Sequence, residues 1–396
     1  MSATCYGVLL ATIIYDAGRI SSFRPSWLDL PMLIWCLCPI ASSITNGLGA
    51  YDGFATSLEQ TITWGVPYFL GRIYFDNLTG LHQLAIGIFT SGLIYIPLCL
   101  FEIRFSPQLH RLVYGYHAHN NFAQTVRYGG FRPTVFMEHG LMVGAWMMAA
   151  VLIGVWLWKA GVIRQLWGIP ISWLVAALLV TSVLIKSTGA LVLLAIGIVI
   201  LFVAIWLRTA LPLLLLIVSI SLYLYFAATG AFIGDQIASS LSKVMPEERI
   251  ESLEFRLNNE ELLSHKARER IIFGWGGWGR NRVHDEWGKD ISVTDSLWII
   301  AFGSNGVVGL FSLTASLLLP AIRFLQLYPA SRWHNRKVAP VAALAVLLAL
   351  YMLDCVLNAM INPVYTLVCG GITGFVLKPT KNTNLMGVLH RSQSLT

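Results

Sequence analysis

The chain has 396 residues, with 27 Lys and Arg against 20 Asp and Glu and a formal net charge of +7. Charged residues make up only 12% of it, 56% are hydrophobic, and the mean hydropathy is +0.67. Soluble domains carry roughly twice that charged fraction, which argues against a soluble multidomain enzyme, a disordered chain or a nucleic-acid binder and for a polytopic membrane protein.

A spanning helix needs about 20 mainly apolar residues. In chain order the apolar runs are a short one at Tyr6–Tyr15, Pro31–Leu48, Leu58–Phe75 (interrupted by Pro67 and Arg72), Leu84–Leu100, Val135–Trp158 and Ile169–Ile185. Leu191–Leu207, Leu211–Ala227, Leu297–Ile322, Val338–Val356 and a short Val364–Leu377 follow. The pattern predicts an all-α fold, a polytopic transmembrane helical bundle of about eleven spans with one large, partly helical outer loop. Residues 1–228 hold the first spans and an outer loop near 102–134. Residues 229–294 form the large loop, and 295–396 hold the last spans and a tail.

Sidedness follows from the basic residues. Trp158–Gly168 carries Lys159 and Arg164; Arg323–Lys337 carries Arg323, Arg332, Arg336 and Lys337; the tail carries Lys378 and Lys381. Alternating spans put these on one side with Arg19, Arg24 and Arg208, and the bias toward Lys and Arg makes that side cytoplasmic. Glu102–Thr134 and Thr229–Thr294 then face outward, both rich in Arg and His against that trend. Within the larger segment, Pro246–Ile272 reads as an amphipathic helix, with Ile250, Leu253, Leu257 and Leu262–Leu263 near helical spacing.

Four outer constellations are candidates for chemistry. Arg127-Tyr-Gly-Gly-Phe-Arg132-Pro133 places two arginines beside glycines just before a span, a plausible anion clamp because guanidinium pairs phosphate bidentately and stays charged. Arg256 lies on the amphipathic helix with Glu260 as a ready partner at i+4. Gly274-Trp275-Gly-Gly-Trp278-Gly-Arg280-Asn-Arg282-Val-His284 combines close-approach glycines, two tryptophans suited to stacking on sugar faces, two cations and a candidate general base. Asp295, at the mouth of the next span, reads either as an N-cap or as a site carboxylate. Lys186, between two spans, either snorkels or reaches an anion. Asp354, Asn358 and Asn362 share roughly one helical face and either line a cavity or bond neighbouring helices. The six cysteines lie in or beside apolar runs and read as buried small residues. His110, His117 and His119 have no supporting carboxylate or Cys pattern, so no metal site is expected.

These segments resemble, in order and placement, the O-antigen ligase/O-antigen polymerase superfamily of bacterial envelope glycosyltransferases. Arg127 through Pro133 resembles the family's arginine, glycine, aromatic and proline segment entering a span. Ser187-Thr-Gly-Ala190 resembles its Ser-Arg-Gly turn, with Thr188 in place of the arginine and Lys186 two residues before it. Phe255-Arg256-Leu257 followed by Phe273-Gly-Trp-Gly276 resembles its loop arginine and Phe-Gly-x-Gly stretch. Thr294-Asp-Ser-Leu-Trp298 through Gly306-Val-Val-Gly309 resembles its His-Asn-x-Tyr-Leu entry into a span, with Asp295 and Ser296 where the ligases often carry His and Asn. The resemblance covers roughly residues 100–320. It implies a multi-pass protein of the bacterial inner membrane with its large loop in the periplasm. The implied donor is a polyprenyl-diphosphate-linked glycan, and the acceptor a glycan or a lipid-A-like molecule. Neither metal nor cofactor is implied. In this reading Arg127, Arg132 and Arg256 hold the diphosphate with help from Lys186, Arg280 and Arg282. Trp275 and Trp278 position sugars, and His284 or Asp295 takes the acceptor proton. The missing His-Asn pair favours a polymerase over a ligase. A transporter or flippase of an anionic or lipid-linked substrate is the alternative.

Overall fold

A computed structural model describes residues 2–21, 23–118, 122–231, 239 and 247–378. His119, Lys381 and residues 232–238 and 240–246 of the large loop lie outside the described residues. The chain is mostly helical, with two short hairpins as its strands among the described residues. Seven described helices are long and apolar enough to cross a membrane: Trp27–Thr45, Leu78–Phe105, Gly140–Lys159, Thr188–Trp206, Leu211–Thr229, Leu297–Leu327 and Ala339–Leu357. Thr4–Tyr15, Ile171–Leu184 and Pro363–Leu377 are shorter apolar helices. Such a set makes this a multi-spanning membrane protein.

Gly140–Lys159 and Ala339–Leu357 form the centre: 89% of the apolar window of each is buried, against 33% for Thr188–Trp206 and 28% for Leu211–Thr229. A helix apolar on every side belongs in such a centre or against lipid, so composition alone does not separate these two pairs. The six cysteines are buried and free.

The interrupted run near residue 67 is one winding path. Ala50–Gln60 passes through a π turn, Thr61–Gly65, into Val66–Tyr74. Pro67 stands just after that turn. Pro lacks an N–H and crowds the carbonyl four residues back, and a local π turn relieves both. Arg72 is buried in a two-pronged pair with Asp29, Nε–Oδ1 2.6 Å and Nη2–Oδ2 3.0 Å. The Trp156 indole donates to the Trp333 carbonyl (3.0 Å), which joins the Lys159 and Arg332 connections at one end of the bundle.

Two expectations shift at helix boundaries. The Val135–Trp158 run becomes a helix only from Gly140, because His139 caps it: its Nδ1 accepts from the Leu141 N–H at 3.1 Å. The amphipathic segment is helical over Glu247–Arg268. Its inward stripe, Ile250, Leu253, Leu257, Glu260, Ser264 and Ala267, alternates steps of three and four residues, and all but the half-buried Leu253 are buried. Leu262 points outward instead.

Helix Leu297–Leu327 is broken near its middle. Gly306 has φ 64° and ψ −164°, a conformation that glycine alone adopts cheaply. The end of the large loop fills the break. Trp275 N–H donates to Gly303 O (2.8 Å), Gly276 N–H to Ser304 O (3.0 Å), and Val307 N–H to Ile271 O (2.7 Å). Ser42 Oγ also donates to Ser304 O, and Cys38 Sγ to Asn305 O. Non-helical backbone at membrane depth persists only where its polar groups find partners inside the protein. A methyl on Gly306 would strike the Ile272 carbonyl and one on Gly274 the Ser304–Asn305 backbone, so these two glycines serve one backbone-on-backbone contact.

Candidate functional site

At the end of the bundle opposite Trp333, five predicted site residues converge. The segment before Gly140 opens with a two-residue hairpin in which Val126 pairs Phe131 and Arg127 pairs Gly130. Its turn residues Tyr128 and Gly129 both have positive φ, the geometry that suits a tight hairpin. Lys186, itself at φ 60°, donates from Nζ to the Arg127 and Tyr128 carbonyls at 3.2 and 3.0 Å. The Ser187 turn thereby ties the hairpin to the start of helix Thr188–Trp206.

Glu102 fixes the other side of this segment. It is fully buried at the end of helix Leu78–Phe105. Its Oε2 accepts the Thr134 and Val135 N–H groups (2.8 and 2.7 Å), and its Oε1 accepts that of Leu109 (2.9 Å). Val135 is held at φ 51°, a genuine outlier for a β-branched residue. A carboxylate with three N–H donors supplies the fixed frame that keeps the strain.

Arg132 leaves that frame inward. It is 5% exposed, and its Nε has no hydrogen-bond partner among the described residues. Burial pushes its guanidinium down to about 10, and the positive charges of Arg127 and Arg256 add to the effect. Buried charges are ordinarily paired; this one sits among its own sign, an arrangement suited to a bound anion.

Arg256 reaches the cluster from the loop helix. Its Nη1 donates to the Leu357 carbonyl (3.1 Å) and to Asn358 Oδ1 (3.2 Å), and its Nε lies 3.8 Å from Asp295 Oδ2. Glu260 does not take the i+4 role expected from the sequence. It turns into the protein and accepts the Tyr223 hydroxyl at 2.8 Å. Burial holds its carboxyl above the ordinary carboxylate range.

Trp275, Arg280 and Arg282 are held by other partners, and His284 and Trp278 are exposed. Trp275 donates its indole N–H to the Lys266 carbonyl, and Lys266 and Arg270 cover its ring at 3.9 and 5.3 Å. Arg280 lies 3.6 Å from Asp52, and Arg282 pairs Asp290 at 2.6 Å while reaching the Thr294 hydroxyl at 3.4 Å. The Arg282 pairing drops the Asp290 carboxyl to about 2. His284 is exposed on a hairpin that pairs with Asp290, and Trp278 is 77% exposed. This hairpin leans on the loop helix through Val293 N–H to Asn259 Oδ1 (3.0 Å). Asn362 caps helix Pro363–Leu377. Among the described residues no group of three His, Cys, Asp or Glu stands close enough to hold a metal.

Sequence reasoning missed Glu102. The available signal was an ionisable residue inside an otherwise apolar helix end. Compared with models of known protein families and with curated proteins, the chain matches none.

Proposed function

We propose that this chain is a glycosyltransferase of the bacterial inner membrane, with about eleven spans, that transfers glycan from a polyprenyl-diphosphate donor at the periplasmic face. The observation that carries the reading is the gathering of Arg127, Arg132, Lys186 and Arg256 at one end of the bundle, with buried Arg132 lacking a counter-ion among the described residues. In the reaction an acceptor hydroxyl attacks the anomeric carbon of the donor sugar. The bond from that carbon to the diphosphate oxygen breaks, and the diphosphate leaves with the electron pair. Arg132, Arg127 and Arg256 stabilise that developing charge by oriented positive charge in a water-poor site. Asp295, beside Arg256, takes the hydroxyl proton, and His284 on the neighbouring hairpin is the other candidate base. Lys186 acts by holding the hairpin turn. The absent ligase-like His-Asn pair favours repeated transfer, hence a polymerase.

The transporter reading draws on one observation, the broken helix at Gly306, since discontinuous helices mark many carrier sites. Here the Ile271–Gly276 segment already bonds backbone groups freed by the break, so they do not face a substrate path.

The test is transfer in proteoliposomes from an undecaprenyl-diphosphate oligosaccharide, with EDTA present. Wild type should be active and Arg256→Ala should insert normally yet lose transfer by roughly a hundredfold. Wild type that moves the lipid across the bilayer without forming a glycosidic bond would replace this reading with the transporter.

A further inference from the structure

Asp354 and Asn358 lie at the end of helix Ala339–Leu357, within the last apolar stretch before helix Pro363–Leu377. Asp354 is buried, at 9% exposure, and its Oδ1 accepts the Asn358 side-chain N–H at 2.7 Å. The other half of the same amide, Oδ1, accepts from Arg256 at 3.2 Å. A guanidinium offers donors and no acceptor, so the amide has one productive orientation: oxygen to Arg256, nitrogen to the Asp354 oxygen. The Arg256 Nη1 also meets the Leu357 carbonyl, the last of its helix. Such terminal carbonyls carry partial negative charge and lack partners within the helix. Finally, the Asn358 carbonyl accepts the Leu297 N–H at 3.2 Å, two residues from Asp295. One residue thus joins the end of one span, the start of another and the arginine of the loop helix.

We infer that Asn358, oriented by Asp354, is a positioning residue that aims Arg256 into the arginine cluster, an assignment that rests on the anion-site reading above. A residue that only ends its helix would need the backbone bond from Asn358 N–H to Asp354 O (2.8 Å), and that bond survives side-chain truncation. The side-chain relay adds what a helix end does not need: it determines where a mobile, four-torsion side chain places its charge.

The test measures Arg256 directly, with and without a ligand. Arginine-selective modification by phenylglyoxal is followed by peptide mass spectrometry on detergent-solubilised protein, with Arg127 as the internal control. Asn358→Ala should speed modification of Arg256 by roughly tenfold, the scale of one lost hydrogen bond to a charged group, and leave the Arg127 rate unchanged. Asp354→Asn, nearly isosteric, should give a smaller rise and serves where the alanine variant does not fold. Calorimetric affinity for geranylgeranyl diphosphate should fall roughly tenfold in Asn358→Ala. In an Arg256→Ala background the same substitution should cost nothing further, because the two residues act as one unit. An Arg256 rate that stays at the wild-type value in the folded variants overturns the assignment. Faster modification of Arg256 with no binding of geranylgeranyl diphosphate by wild type would keep the positioning role and remove the anion-site reading.

Discussion

Arg132 offers the sharpest test, because a site residue and a structural residue predict opposite signs. Its guanidinium is 5% exposed, has an unbonded Nε and faces Arg127 and Arg256. A pKa lowered to about 10 means that the charged form is disfavoured in the fold, by on the order of 3 kcal/mol. The cation binds fewer protons folded than unfolded only above pH 10, so at neutral pH the group is charged in both states and the whole penalty is present. It fades as pH rises above about 10 toward the ordinary arginine value. Arg132→Met fills similar space without charge. Melting in detergent at pH 7 should therefore rise by several degrees, reduced by whatever packing the methionine fails to restore. Affinity for a lipid diphosphate should collapse in the same protein. Functional groups that cost stability are the expected signature of a binding site. A melting temperature that falls by several degrees would show Arg132 to be paired and structural, and would refute the reasoning.

Three further outcomes follow from named contacts. Glu102→Gln replaces an acceptor-only carboxylate by an amide that presents N–H to at least one of three N–H donors. With some strain at Val135 relieved, local opening should become easier by about 2 kcal/mol, so hydrogen exchange at Thr134 and Val135 should quicken by roughly thirtyfold; unchanged protection would show that other contacts hold this segment. Glu260 binds its proton more tightly folded than unfolded, so its contribution favours the fold at low pH and is lost as pH climbs above the ordinary value of 4.5. Glu260→Gln should accordingly match wild type in melting near pH 4 and exceed it at pH 7; a lower melting point at pH 7 would show the ionised carboxylate to be the stable form. Gly306→Ala forces a Cβ against the Ile272 carbonyl at a φ of 64°. It should cost more than about 3 kcal/mol and release the Ile271–Gly276 segment to proteolysis; a protease-resistant, fully stable variant would mean that the break is dispensable.

Much of the architecture was legible in the sequence because membrane helices announce themselves by length and apolarity. The runs at Leu84–Leu100, Val135–Trp158, Leu297–Ile322 and Val338–Val356 all contain observed helices. The first half of the loop helix's stripe, Ile250, Leu253 and Leu257, was equally readable, since a helix that docks on one face repeats its buried residues every three or four positions; Glu260, Ser264 and Ala267, which continue it, were not. Arg127, Arg132, Lys186 and Asp295 stood out as charges near the ends of apolar runs, Arg256 was set apart mainly by the family resemblance, and the fold brings the five together.

Pairings between segments well apart in the chain were not legible. Nothing local shows that Asn358 will hold Arg256, or that Glu102 will take the Thr134 and Val135 N–H groups. Glu260 was a natural i+4 partner for Arg256, and only packing against helix Leu211–Thr229 turned it toward Tyr223. Gly274 was legible as a close-approach glycine, but only the fold shows that what it approaches is the backbone of a broken span. Composition and periodicity thus determined the class, the helices and the charges at one end. The tertiary structure decided which charges pair and which, like Arg132, are buried among their own sign, because a charge's pairing depends on every chain segment that reaches it, and those segments meet only once the bundle has closed.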